Sequence, residues 1–156
     1  MENRKSELKS LQVLYLALLT GQVLFLGISF VVVHYNDTML ISENFSRIFQ
    51  VLALGVAAAA FFIGYNIFKK RVQGINEAGY ITLERKIEQY RAVSIIRWAL
   101  MEGSTLFSII GFITTSNYAF VILAAVMLFF FAGLNPTKDK LAKDLQLNEN
   151  EIANLT

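Results

Sequence analysis

Four stretches of the chain are long, apolar and almost free of charge, at about residues 11–33, 48–68, 93–114 and 117–134. An α-helix needs about 20 apolar residues to cross a hydrocarbon core roughly 30 Å thick. Lipid offers no water to unpaired backbone groups, so a spanning segment must be a helix or a strand of a closed barrel. Barrel strands would appear as short segments of alternating polarity, and the sequence has none. The expected fold is therefore all-α, a four-helix transmembrane bundle. The fourth stretch follows the third after only Thr114, Thr115, Ser116 and Asn117, which predicts a tight helical hairpin turn.

Composition agrees with this reading and removes several functional classes. Of 156 residues 55% are apolar and only 17% charged, against roughly a quarter charged in soluble domains. The net charge of +2 is dispersed through the connections, so there is no basic stripe of the kind nucleic-acid binding requires. The chain has no cysteine and one histidine, His34. Disulfides, thiolate metal sites and multi-histidine metal clusters are thereby excluded. Paired carboxylates, a Ser-His-Asp set and a Gly-rich phosphate loop are also missing. The sequence thus nominates no catalytic residue, metal ligand or cofactor, and the chain is expected not to be an enzyme.

Basic residues set the expected orientation, because Lys and Arg accumulate in cytoplasmic flanks. Of the 14 Lys and Arg, all but Arg47 lie in the N-terminal segment, in the connection between the second and third stretches or its flanks, or in the tail. Both termini and the central loop are therefore expected in the cytoplasm, with the chain in the cytoplasmic (inner) membrane. The first apolar run continues to about Val33 and ends at His34, Tyr35, Asn36 and Asp37 without a small-residue cleavage pattern, so it is read as a retained span rather than a signal peptide. The expected organisation is a first transmembrane hairpin (1–68), a basic cytoplasmic loop (69–91), a second hairpin (92–134) and a cytoplasmic tail (135–156). Gly74 and Gly79 are expected to break the helix after the second span. Thr82 is a natural N-cap, with Leu83, Ile87 and Tyr90 forming an amphipathic lead-in. In the tail, Thr137 can cap a short helix, and Asn148 with Glu151 forms a capping box. The tail is expected to be a polar surface or docking element.

The two halves share a pattern. Ala17, Gly21 and Phe30 in the first span match Ala99, Gly103 and Phe112 in the third, and Phe61 to Asn66 in the second match Phe130 to Asn135 in the fourth. Two parallel-repeat hairpins about a pseudo-two-fold axis along the membrane normal would follow. Small residues four apart let helix backbones approach closely. Ala17, Gly21, Ala57, Gly64, Ala99 and Gly103 are therefore expected to mark helix packing, with the alanine-rich second span central. Phe129, Phe130 and Phe131 are expected to face lipid or a partner.

Glu102 is the only acidic residue inside a span. An acid near mid-helix costs about 2.5–3.5 kcal/mol to insert, and such residues are functional candidates by default. Its expected polar company is Ser104 and Thr105 on its own helix, Thr20 and Gln22 on the first span, and Tyr65 on the second. Either it is a hydrogen-bonded helix contact or it handles protons or cations. Arg97 and Trp98 suit the cytoplasmic interface, with the arginine snorkelling.

The segment Met101, Glu102, Gly103, Ser104, Thr105, Leu106, Phe107, Ser108, Ile109 resembles the carboxylate helix of the proteolipid c subunits of rotary ATPases. In that family an acid is followed by small and hydroxyl residues and an aromatic. The resemblance extends to the preceding small-residue helix and basic loop, and covers the second and third spans. The chain departs from the family in having alanines where the second span would repeat glycines, a longer loop and additional flanking spans. The resemblance implies that Glu102 is an ion-binding carboxylate for H+ or Na+, with Ser104 and Thr105 near it.

Two functions remain open on these grounds. One is a non-enzymatic membrane subunit of a larger complex, or a homo-oligomer. The alternative is a proton- or cation-coupled channel, transporter or c-ring-like subunit using Glu102. Expected partners are the lipid bilayer and other membrane subunits or a second copy.

Overall fold

The computed structural model describes residues 2–35, 43–78 and 82–153. The fold is all-α: α1 (Glu2–Tyr35), α2 (Glu43–Glu77), α3 (Leu83–Thr115), α4 (Ala119–Ala132), and two short tail helices, α5 (Lys138–Asp144) and α6 (Glu149–Ala153). Helices α1, α2 and α3 are long and apolar enough to cross a membrane, whereas α4 is a shorter apolar helix. Its 14 residues rise about 21 Å, less than the expected stretch 117–134 implied.

Aromatic contacts fix the directions of these helices. Tyr15 of α1 meets Trp98 of α3 (centroids 5.5 Å apart), and Phe30 meets Phe112 (5.1 Å), so α1 and α3 run the same way. Likewise Phe49 meets Phe120 (5.5 Å) and Phe61 meets Phe130 (4.9 Å), making α2 and α4 parallel to each other. The expected up-down order is present. Phe30 with Phe112, and Phe61 with Phe130, are also the pairs matched by the sequence repeat, so matched residues lie at equal depth.

The packing does not follow the two-fold relation that the repeat implied. α3 packs on α1, α2 and α4, whereas α1 and α2 hardly touch. A symmetric pair of hairpins would join α1 to α2 as α3 is joined to α4. The centre is α3, with 44% of its apolar window buried against 22% for α2 and 11% for α1. Small side chains made α2 look central, yet Ala57 and Gly64 form only one narrow strip of contact on it. Ser104, Thr105 and Ser108 of α3 allow burial equally well because each bonds its own helix. Ser104 and Thr105 donate to the Met101 carbonyl at 2.8 and 3.0 Å, and Ser108 donates to Ser104 at 2.9 Å.

The turn between α3 and α4 is as tight as expected. Ser116 adopts a left-handed conformation (φ 53°) and its N–H donates to the Phe112 carbonyl. Asn117 Oδ1 accepts from the Ala119 N–H at 3.0 Å, starting α4. A Cβ on Gly111 would stand 2.5 Å from the Phe120 ring, so the hairpin closes only on a bare α-carbon.

Two expectations at the basic end are corrected. α2 continues through Gly74 to Glu77, because one glycine costs a helix only about 1 kcal/mol; Gly79 lies outside the described residues, as do Asn36 and Asp37. The tail is not merely a polar surface. Thr137 caps α5 by accepting from the Lys140 N–H, and Asn148 and Glu151 form the reciprocal capping box at 2.8 and 2.9 Å. Yet Leu141, Leu145 and Leu147 are buried in one core with Leu8, Val72, Ile75 and Ile87. Lys86 pairs with Glu151 at 3.5 Å. The tail is thus folded back onto the ends of α1, α2 and α3.

Candidate functional site

The two charged residues of the 93–114 stretch, Glu102 and Arg97, mark two places in the fold. The first is Glu102. Around α3, the helices α1, α4 and α2 follow one another in contact, which leaves the side between α1 and α2 open. Ala92, Ile96, Ala99, Gly103 and Ile110 lie exposed on that side. Glu102 is half-buried at its edge, with Ala99 three positions before it and Gly103 beside it. Among the described residues its carboxylate makes no hydrogen bond or ion pair.

The polar residues expected around Glu102 are dispersed. Thr20 is exposed on the outer face of α1. Gln22 is buried, donates to its own helix at Leu18 (3.3 Å), and leaves its Oε1 unpaired. Ser104 and Thr105 are buried with their hydroxyls turned to Met101, and Tyr65 lies half exposed near the basic end of α2. Of the six small residues, Ala57 is buried, and the Cβ position of Gly64 lies 3.6 Å from Arg97 Cγ. Ala17, Gly21, Ala99 and Gly103 are exposed, and Gly21 and Gly103 face open space. Within one chain, then, close packing falls to α2 and the repeated small pairs point outward. Phe129 and Phe130 are exposed, but Phe131 is fully buried against Tyr15; three consecutive helical residues cannot share one face.

The second place was not apparent from the sequence. A groove of about 840 Å³ opens at the basic end, between the end of α2, the start of α3 and the folded-back tail. Its apolar walls are Tyr65, Phe68, Val72, Trp98 and Leu134. Four cations line it, Lys69, Arg97, Lys140 and Lys143, against two acids, Glu77 and Asp144. Asp144 is already engaged: its Oδ2 accepts from the Tyr90 hydroxyl at 3.0 Å, and its carbonyl accepts from Asn76 at 2.9 Å. Glu77 accepts from Gln73 at 2.8 Å.

Arg97 is the half-buried cation of this groove. Its guanidinium lies over the Phe68 ring, 4.8 Å from the centroid, a cation–π arrangement. Among the described residues it has no hydrogen bond and no ion pair. Its five N–H donors are therefore free toward the groove. Tyr90, Ser94 and Arg97 recur at helical spacing, a polar stripe that could have disclosed the site had the tail's return been foreseen.

Long apolar helices with exposed aliphatic faces and an internal acid define an α-helical membrane protein. No protein-family model matches the chain, and neither a curated protein nor a solved structure matches it.

Proposed function

We propose that this chain is a non-enzymatic subunit of the cytoplasmic membrane that crosses it four times, both termini inside, and assembles through the open side of α3. The supporting observation is Glu102, half-buried and unpaired among the described residues, beside exposed Ala99 and Gly103. A carboxyl facing lipid in mid-helix costs a few kcal/mol. A second helix lying along Ala99 and Gly103 can approach closely and supply Glu102 with a donor. The short α4 is accommodated by modest local thinning of the bilayer.

Native mass spectrometry on membrane-extracted chain tests this reading. A stoichiometric complex is expected, with a second copy or with another membrane protein. Gly103→Leu should dissociate it, Glu102→Leu should weaken it, and Glu102→Gln should largely preserve it. A monomer from native membranes would defeat the proposal.

The c-subunit resemblance and the free carboxylate favour a second reading, in which Glu102 exchanges H+ or Na+ at that same interface. Proteoliposomes separate the two. Ion handling requires flux in the wild type that Glu102→Gln abolishes while the assembly persists.

A further inference from the structure

We infer that the groove at the basic end is a binding site for a phosphate-bearing anion, held by the free guanidinium of Arg97. This rests on different residues from the assembly reading and stands apart from it.

A guanidinium with its donors unused, roofed by an aromatic ring and partly withdrawn from water, needs an acceptor of matching shape. A carboxylate of the chain would serve, but the two in the groove, Asp144 and Glu77, accept from Tyr90 and Gln73 and form no ion pair with Arg97. A phosphate ester accepts two parallel N–H bonds from arginine. Lys69 and Lys143, also lining the groove, add charge of the right sign. The volume, about 840 Å³, is in the range of small-molecule sites, roughly 300–1,000 Å³, and exceeds what an inorganic ion fills.

The surroundings indicate where the ester's remainder would go. One helical turn separates the Phe61–Phe130 contact from Tyr65 and Gly133 at the groove's edge. Tyr65 is 47% exposed; Phe62, one turn before it on α2, is 62% exposed, and Phe129, one turn before Gly133 on α4, is 76% exposed. An apolar outer surface thus runs directly to the cationic pocket. An anionic phospholipid would place its phosphate at Arg97 and its chains along that surface. A soluble phosphate ester shares the same headgroup chemistry and would enter from the polar end.

Trp98 is the only tryptophan of the sequence and lines the groove, so its fluorescence reports occupancy. In phosphatidylcholine nanodiscs, a small fraction of chain-brominated phosphatidylglycerol should quench Trp98 more than the same fraction of brominated phosphatidylcholine. Arg97→Gln should weaken that preference about tenfold, the expected loss for one charged hydrogen-bonded contact, and Arg97→Lys should retain part of it. Lys70→Gln removes the same charge from an exposed position outside the groove and should leave the preference unchanged. If inorganic phosphate or glycerol phosphate shifts Trp98 emission in pure phosphatidylcholine and brominated phosphatidylglycerol shows no preference, the soluble source is correct. The inference is overturned if the wild type responds to neither probe, or if Lys70→Gln and Arg97→Gln reduce the preference equally, as general surface attraction would.

Discussion

Tyr15 of α1 lies flat against Phe131 of α4, with ring centroids 5.4 Å apart and planes 3° from parallel. Its hydroxyl reaches past that ring to the Ala132 carbonyl at 2.9 Å, a helix-end acceptor that the α4 ladder leaves unpaired. One side chain thus joins the N-terminal half of α1 to the end of α4, more than a hundred residues later. Gln12, donating to the Pro136 carbonyl at 3.0 Å, continues the same seam.

Tyr15→Phe keeps the stack and removes the hydrogen bond. The expected loss is about 1 kcal/mol, read as a lower melting temperature in detergent. Tyr15→Ala also empties the stack and should cost about 3–5 kcal/mol. Equal melting of wild type and Tyr15→Phe would mean that the Ala132 carbonyl finds water instead.

Gly111→Ala drives a methyl into the Phe120 ring. Overpacking of this kind costs about 1–3 kcal/mol. Adding Phe120→Leu should recover part of the loss, because the clash is with that ring. No recovery in the double variant would place the strain in the backbone of the turn.

Leu145→Ala opens a cavity where the tail meets α2 and α3, with an expected cost of about 2–5 kcal/mol. Hydrogen exchange should accelerate in α5 and α6 before it does in α3. Uniform acceleration through all helices would show that the tail does not open as a separate unit.

Gln22→Met removes a buried amide oxygen that has no partner at nearly constant volume. Freed of that unsatisfied group, the variant should gain about 1 kcal/mol. A fall in melting temperature would instead reveal that the amide oxygen of Gln22 is satisfied, as by a bound water.

Much of this was legible in the sequence because it depends on near neighbours in the chain. Helix-forming apolar runs, the Thr82 and Thr137 caps, the Asn148–Glu151 box and the tight turn after Thr114 are each set within a few residues. Single-residue signals misled at two places. Gly74 had helical neighbours on both sides and stayed helical. Phe131 joined an aromatic run in the sequence but faced Tyr15 in space.

The sequence by itself determined that the chain is helical, that several helices suit lipid, and that one acid is stranded among them. Those properties follow from the cost of unpaired backbone and charge in hydrocarbon, which each segment meets on its own. Only the tertiary structure decided that α3 is the hub, that the small pairs point outward, and that the tail returns to enclose Arg97. Such choices depend on which surfaces fit one another, and side-chain packing across a hundred residues leaves no periodic trace in the chain.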